Sequence, residues 1–300
     1  MGIVFILVAV LALSVLVFVH ELGHFLVGKA LGFKIIEFAI GFGPRIFKTT
    51  CKGIVYSLRV FPLGGFVRFF GEDEDNSDPQ AMNNMPRWKR FLVLLSGSAA
   101  NIIFAVLVGT MLFMTLGDVG FAVSSVEPNS GAALAGVQTG DFIYEVNDER
   151  LGLLGNVSQK IAAADDTFPI TVVRDGKKLT LTVTKNLQNK KIGITIEQAY
   201  LKMGLSEAFS RMWAYTAEIT REVFKFFGKI FTFNLRANEA AGPISTIGIM
   251  AEATSIGFSW LVFLTIIISV NLGIFNLIPF PALDGGRIFL LAVESIRGKA

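Results

Sequence analysis

Three long apolar segments dominate the pattern of hydrophobic and polar positions along the chain. They run from Ile3 to Val19, from Phe91 to Gly117 and from Ala253 to Leu283, and none of them contains a charged residue. A helix that crosses a bilayer needs about 20 mainly apolar residues, so each segment predicts a transmembrane span. The third segment is longer than one straight span requires. The pattern therefore predicts a polytopic α-helical membrane protein.

The composition agrees with this prediction. Of the 300 residues, 52% are hydrophobic and only 17% are charged, whereas soluble domains carry about 25% charged residues. The net charge of +3 is too small to indicate a nucleic-acid-binding protein. The single cysteine, Cys51, excludes an internal disulfide.

The distribution of basic residues predicts the orientation in the membrane. Lys29, Lys34 and Arg45 follow the first apolar segment, and a basic cluster at Arg87–Arg90 precedes the second. Cytoplasmic loops carry an excess of lysine and arginine, so the loop between these spans is predicted to be cytoplasmic. The N-terminus and residues 118–202 are then extracytoplasmic, and the third span returns the chain to the cytoplasm.

Alternating β-type patterns lie between the apolar segments. Ile170–Arg174 and Leu179–Val183 are joined by Asp175-Gly176, which predicts a hairpin. Residues 53–70 predict a second hairpin, in the cytoplasmic loop, that turns at Pro62-Leu-Gly-Gly65. The acidic run that follows at residues 72–75 lacks the spacing of a calcium loop, so we expect it to be solvated.

An aromatic-rich segment, Leu205–Phe233, has two interpretations. It is either an amphipathic helix that lies at the outer membrane interface or a packing helix of a globular domain. The predicted organisation is a membrane domain with the hairpin, an extracytoplasmic domain, the amphipathic helix with a linker, and a second membrane domain, at residues 1–117, 118–202, 203–252 and 253–300.

The strongest chemical signal lies at the end of the first apolar segment. The only two histidines of the chain occur in His20-Glu21-Leu22-Gly23-His24, four residues apart and so on one face of a helix. In the H-E-x-x-H pattern the two imidazoles bind zinc and the glutamate is the general base. The alternative is that the helix ends at Val19 and these residues form a solvated cytoplasmic flank.

A catalytic zinc needs a third protein ligand and one open position. Cys51 and Asp284 are the candidates. Asp284 follows the third apolar segment, where two prolines and two glycines within residues 276–286 must interrupt a helix. Irregular backbone at membrane depth indicates a lined cavity. The predicted topology places His20 and Asp284 on the same, cytoplasmic side.

These motifs resemble the site-2 protease family of intramembrane zinc metalloproteases. His20, Glu21 and His24 match its H-E-x-x-H, and residues 276–286 match its N-x-x-P-x-P-x-L-D-G motif. The resemblance implies that Asp284 is the third zinc ligand. It also implies that the segment with Asn276, Pro279 and Pro281 holds the substrate beside the zinc.

Two further segments extend the resemblance. Residues 125–147 are similar to a bacterial PDZ domain, with its core at Ala135-Gly136 and Gly140-Asp141. The resemblance implies the PDZ-containing type of the bacterial regulator of sigma-E protease, with a single PDZ domain in this chain. The domain is either a gate that screens substrate ectodomains, with a peptide ligand, or a folded spacer. Ser96–Asn101 resembles the family's A-G-P-x-x-N, although Ser98 replaces the proline, and close helix packing is the alternative.

The resemblance implies that the hairpin at 53–70 is a membrane-reentrant β-loop whose edge pairs with an extended substrate. It further implies a span after the L-D-G motif, where this sequence has a short apolar stretch at Ile288–Val293 and stops at Ala300, so we expect either a truncated chain or a shortened form of the family pattern. The predicted fold is thus a polytopic α-helical membrane protein with a membrane-associated β-hairpin and an extracytoplasmic PDZ domain.

The predicted function is intramembrane zinc endopeptidase. Its partners are expected to be the lipid bilayer and single-span membrane proteins, such as an anti-sigma factor or a remnant signal peptide. The alternatives are a non-catalytic PDZ adaptor and a metal transporter. Glu21 weighs against the adaptor, because a structural metal site needs no base. The scarcity of intramembrane carboxylates weighs against the transporter.

Overall fold

The computed structural model of the chain describes residues 2–72, 78–151, 157–186, 190–232 and 243–298. The chain divides into two compact units. The first comprises residues 1–109 and 219–300, and the second comprises residues 110–218. Each unit has a hydrophobic core of its own.

The elements follow in chain order. The helices of the described ranges are α1 Ile3–Ala30, α2 Arg87–Thr115, α3 Gly131–Leu134, α4 Val157–Ala163, α5 Leu205–Phe231, α6 Pro243–Ile256, α7 Phe258–Phe275 and α8 Asp284–Arg297. The strands of the same ranges are β1 Ile35–Cys51, β2 Ile54–Phe69, β3 Asp118–Val126, β4 Phe142–Val146, β5 Glu149–Arg150, β6 Thr167–Arg174, β7 Lys177–Thr184 and β8 Ile194–Leu201.

Each of the three apolar segments contains a helix long enough to span a bilayer. Within the described ranges, α1, α2 and α7 have the length and the apolar composition that a membrane span needs. The prediction for the third segment was too long. Residues 253–283 contain the end of α6, a break at Gly257, helix α7 and an irregular stretch after Phe275. The prolines of that stretch cannot donate the hydrogen bonds that would continue the helix.

The predicted linker at 203–252 is also corrected. Its last ten residues belong to α6, because Met250 and Ala251 are fully buried in an apolar cluster with Ala9 of α1 and Leu261 of α7. The aromatic-rich segment predicted to run to Phe233 forms helix α5, which ends at Phe231. Phe233 itself lies outside the described residues.

The hairpin predicted at residues 53–70 is larger than expected and turns elsewhere. Strands β1 and β2 pair antiparallel, and the turn lies at Lys52-Gly53. Both turn residues have positive φ, 49° and 80°, as a two-residue hairpin turn of type I′ requires. The predicted turn, Pro62–Gly65, lies inside β2. There the carbonyl of Pro62 accepts a hydrogen bond from Ser14 of α1, which attaches the strand to the helix.

The hairpin curls because β1 pairs with both halves of β2. Residues 37–40 face residues 65–68 and also residues 55–58. Glu37 lies in this doubly paired stretch with only 1% of its surface exposed. Its carboxylate accepts hydrogen bonds from Arg45, Arg59 and Ser57. Burial would raise the pKa of Glu37, but these bonds outweigh it and lower the pKa to about 2.

The second unit is built on a mixed-length antiparallel sheet. Its described strands follow the order β7-β6-β4-β3-β8, and β5 pairs with β4. Strands β6 and β7 are joined by Asp175-Gly176, which confirms the predicted hairpin. The sheet and the short helices α3 and α4 enclose an apolar core centred on Ile143, Phe168 and Ile170.

A buried ion pair ties the start of α5 to the sheet of this unit. The Nε of Arg211 donates to Asp118 across 2.6 Å, and the hydroxyl of Tyr215 donates to the other carboxylate oxygen across 2.8 Å. All three residues are buried. Burial, together with the charge of Asp118, raises the pKa of Tyr215 far above its usual value, so the phenol stays a donor.

Replacement of Glu37 by glutamine tests the buried carboxylate of the hairpin. Glu37→Gln removes the charge that pairs with Arg45 and Arg59, and we expect a loss of about 3 kcal/mol in hairpin stability. The pKa of Glu37 is lower in the folded than in the unfolded state. The wild type therefore loses stability as the pH falls from about 4.5 to about 2, whereas the variant lacks this loss.

Hydrogen exchange of the amides of residues 35–69, compared at pH 5 and pH 3, measures both effects. The matched control is Glu197→Gln, which changes an exposed glutamate of β8. Equal protection of the hairpin in wild type and Glu37→Gln would contradict the assignment.

Candidate metal centre

Helix α1 presents the two histidines to each other. His20 and His24 lie one turn apart, and their Nε2 atoms are 3.1 Å apart. The rings stand nearly perpendicular, with their centroids 4.7 Å apart. Both side chains are buried. Helix α1 continues to Ala30, so the alternative in which the segment ends at Val19 and leaves a solvated flank is wrong.

Asp284 reaches the histidines from the other end of the chain. Its Oδ2 lies 3.1 Å from Nε2 of His20 and 3.2 Å from Nε2 of His24. The residue sits in the first turn of α8, and the N–H of Gly285 donates to the carbonyl of Asn276 across 2.6 Å. A side chain at Gly285 would overlap the carbonyl of Ile278. The glycine is therefore what allows the chain to bend back so closely.

The three atoms have the spacing that a zinc ion requires. Zinc bonds of about 2.0 Å in a tetrahedron place ligand atoms about 3.3 Å apart, close to the observed 3.1 and 3.2 Å. The Nδ1 of His24 lies 2.8 Å from the carbonyl oxygen of Val93, which can only accept. Nδ1 must then carry the proton, and Nε2 keeps its lone pair for a metal. The residues thus fit zinc.

The second candidate ligand is placed elsewhere. Cys51 ends strand β1 and is exposed. Within the described residues, the group of side chains able to hold a metal consists of His20, His24 and Asp284. Of the two alternatives that the sequence left open, the structure brings Asp284 to the histidines and leaves Cys51 apart.

A glycine of α2 makes room for the imidazoles. A Cβ atom at Gly97 would overlap Nε2 of His24 and would lie 2.7 Å from Cε1 of His20. On the facing helix, a Cβ at Gly23 would lie 2.8 Å from the Cβ of Ala100. The small residues at Ser96–Asn101 indicated close packing of helices, but they did not indicate that one of them faces the metal ligands.

Strand β2 holds the glutamate of the motif. The N–H of Val67 donates to Oε2 of Glu21 across 3.0 Å. A Cβ at Gly65 would lie 2.8 Å from the carbonyl oxygen of Ala39 and 3.5 Å from Cγ of Glu21. The strand therefore passes directly beside the glutamate, and its backbone orients the carboxylate next to the metal ligands.

Glu72 also belongs to this neighbourhood, contrary to the prediction of a solvated acidic run. Its side chain is only 14% exposed and pairs with Arg287 of α8. The N–H of Phe69 donates to its Oε2 across 3.2 Å. The backbone N–H at the end of β2 thus holds the Glu72 carboxylate beside the strand. The acidic run in the sequence does not by itself indicate this contact. Residues 73–75 lie outside the described residues.

A cavity of about 550 Å³ opens at this group. Its lining includes the ligands and Glu21, the β2 residues Gly65, Phe66 and Val67, and two amides, Asn101 and Asn276. Asn276, the C-cap of α7, was predicted from the motif, whereas Asn101 was not assigned a role. Pro279 and Pro281 are exposed and do not line the cavity. Their contact with substrate stays a prediction.

Comparison with known proteins identifies the class. The model of peptidase family M50 matches residues 8–300. A protein of Agrobacterium fabrum named “Putative zinc metalloprotease” is 32% identical, over 97% of this chain and 86% of its own length. Relatives with the same description in Clostridium perfringens and Fusobacterium nucleatum are 33% and 31% identical, over 97% of this chain and 88% of their own lengths.

The chain is a zinc metalloprotease, as the site and the comparisons together indicate. It belongs to peptidase family M50. The resemblance to the site-2 proteases is confirmed at this level, and so are the enzyme class and the zinc cofactor. With its three apolar helices, the chain is a membrane protein of this family.

Substitution of the glycine that faces the ligands tests the geometry. Gly97→Ala places a methyl group against His20 and His24, and we expect the zinc affinity to fall at least tenfold because overpacked sites relax by displacing side chains. Zinc per chain, measured by mass spectrometry after competition with a chelator, gives the affinity. Gly248→Ala, at a glycine of α6 with open space around it, is the matched control. Unchanged zinc retention in Gly97→Ala would overturn this placement.

Proposed function

We propose that this metalloprotease cleaves peptide bonds within the transmembrane segments of other membrane proteins. The observation that carries the proposal is that two of the three candidate metal ligands, His20 and His24, lie on α1. Helix α1 is long and apolar enough to span a bilayer. His20 lies seventeen residues beyond Ile3, about 26 Å along the helix, which is close to the thickness of the hydrocarbon core. The site then lies at membrane depth, toward the cytoplasmic side.

His20, His24 and Asp284 hold the zinc in this proposal, and Glu21 is the catalytic base. When bound, zinc supplies the Lewis acidity that makes water a nucleophile near neutral pH. Glu21 takes a proton from the attacking water and donates it to the amine nitrogen of the departing peptide product. The N–H of Val67 holds the Glu21 carboxylate in place for both transfers.

The substrate enters as an extended segment. The amides of a transmembrane helix are bonded internally, so the helix must unwind before its peptide bonds can be attacked. Freed amides need new partners in the membrane, and a strand edge provides them. Strand β2 borders the cavity at Gly65–Val67, so it is positioned to pair with such a segment. Asn276 lines the same cavity and supports the predicted substrate contact.

Residues 118–202 are proposed to be a single extracytoplasmic PDZ domain of the type found in the bacterial regulator of sigma-E protease. Two features support this. The Asp141 of the G-D core pairs with Arg174 across 2.7 Å, which ties the core turn to β6. Strand β8 stands at the end of the described sheet, where an extended peptide could add. The proposed role is to screen the ectodomains of substrates, such as trimmed anti-sigma factors or remnant signal peptides.

Helix α5 is proposed to lie at the outer membrane interface. Leu205, Phe209 and Trp213, spaced four residues apart, are at least half exposed, while Ala208, Arg211 and Tyr215 on the same helix are buried. An exposed apolar stripe opposite a buried face suits the boundary between headgroups and acyl chains.

Replacement of the base tests the mechanism. Glu21→Gln should lower cleavage by about a thousandfold, because the amide cannot accept the proton of water, while zinc stays near one per chain. The assay uses purified enzyme in liposomes and a single-span reporter that carries a different tag on each side of its span. Glu252→Gln, at an exposed glutamate of α6, should cleave normally. Retained cleavage by Glu21→Gln would falsify the proposed role.

The single native cysteine tests the orientation. Cys51 is exposed, and the proposal places it in the cytoplasm. A membrane-impermeant maleimide should therefore label the wild type in inverted membrane vesicles but not in intact spheroplasts. A variant that combines Cys51→Ser with Lys177→Cys moves the thiol to an exposed residue of the second unit and should give the opposite pattern. Labelling of Cys51 from outside would reverse the proposed topology.

A further inference from the structure

Asn101 of α2 is a buried amide without an internal partner. The residue is 0% exposed, and among the described residues neither its Oδ1 nor its Nδ2 has a hydrogen-bond partner. Buried polar groups are satisfied in the great majority of cases, because each unsatisfied one costs about 1–3 kcal/mol. The unsatisfied amide of Asn101 therefore indicates a hydrogen-bond partner that is not part of the chain itself, such as a bound ligand.

The amide stands beside the reaction site. Asn101 lines the cavity together with His20, Glu21 and Asn276. It lies one helical turn from Gly97, the glycine that touches both imidazoles, which is about 6 Å along α2. Its own backbone carbonyl accepts a hydrogen bond from Ser269 of α7 across 2.8 Å. The position of Asn101 is thus held by two helices while its side chain stays available.

The chemistry of the amide matches a peptide backbone. A primary amide offers one carbonyl acceptor and two N–H donors, so it can bond both the N–H and the C=O of a peptide unit. An extended substrate has two edges. If β2 pairs with one edge, the groups on the other edge still need partners in a cavity that excludes lipid and much of the water.

We propose that Asn101 is a substrate-positioning residue that hydrogen bonds the main chain of the unwound substrate on the edge that β2 leaves open. The inference rests on the proposed function, since it requires an extended peptide in the cavity. The class of ligand is a peptide main chain, because every residue of an extended substrate offers the N–H and C=O groups that match a primary amide. The same bonds satisfy Asn101 itself.

Ser98 provides a matched comparison on the same helix. It is also 0% exposed, and its Oγ is likewise without a partner among the described residues. It does not line the cavity. Removal of either polar group should leave the fold intact, because no internal hydrogen bond is lost. Only removal of the Asn101 amide should change the binding of a peptide.

The experiment measures the binding of two hydroxamates to the purified zinc enzyme. Acetohydroxamate reaches the metal alone, whereas a hydroxamate carrying two amide bonds extends along the cavity as a peptide does. In Asn101→Leu, which keeps the branching of asparagine at Cγ but has no polar side-chain atom, we expect the peptidyl hydroxamate to bind about tenfold more weakly and acetohydroxamate to bind as in the wild type. The melting temperature should stay equal or rise, and zinc should remain near one per chain.

Ser98→Ala should bind both compounds like the wild type, with a melting temperature that is equal or higher. Should Asn101→Leu fail to fold, Asn101→Ala replaces it with the same expected ratio. Unchanged binding of the peptidyl compound overturns the proposal, and so does weakening of both compounds or loss of zinc, which would assign Asn101 to the support of the metal site. A wild type that binds only acetohydroxamate and cleaves no reporter overturns the proposed function instead.

Discussion

The first unit depends on one constraint, namely that the imidazoles of His20 and His24 and the carboxylate of Asp284 lie within 3.2 Å of one another. Such groups are costly inside a bilayer unless a partner compensates them. A divalent cation is that partner, and its short bonds tolerate little displacement of the ligands. The elements around the ligands, including α2, must therefore approach one another more closely than ordinary side chains permit. Gly23 and Gly97 on the helices, and Gly285 after the loop, are located where that approach occurs.

A second constraint is the orientation of the proposed base beside the metal ligands. The β-hairpin, and not another helix, meets this constraint. Strand β2 runs past Glu21 and donates a backbone N–H to it. The hairpin is stabilised away from the site, where the buried carboxylate of Glu37 forms ion pairs with Arg45 and Arg59. A strand next to a catalytic centre has outward-facing edge amides, which a helix lacks, and the glycine of β2 also allows close passage beside Glu21. The proposed pairing with an unwound substrate uses the same edge.

The second unit is stabilised by an apolar core and by buried ion pairs, and no candidate metal ligand lies among its described residues. Its core is an ordinary apolar interior between a sheet and short helices, and its buried charges are paired as Asp118 with Arg211 and Asp141 with Arg174. The family assignment covers both units, since the match runs over residues 8–300. The proposed metal ligands and the proposed base, His20, His24, Asp284 and Glu21, all belong to the first unit.

The sequence by itself determined the apolar helices, the pair of histidines with its glutamate, and the β6–β7 hairpin. These features follow from local rules, namely helix periodicity, uninterrupted hydrophobicity and the conformational needs of Asp-Gly. Residue spacing left both Asp284 and Cys51 open, and the motif resemblance favoured Asp284, which the tertiary structure brings to the histidines. Only the tertiary structure moved the turn of the large hairpin to Lys52-Gly53 and placed Gly97 and Asn101 at the site. Those outcomes depend on contacts between residues up to 264 positions apart along the chain, as for His20 and Asp284. No local pattern encodes the distance between such segments, because it is set by how closely the helices and the strand pack around one metal ion.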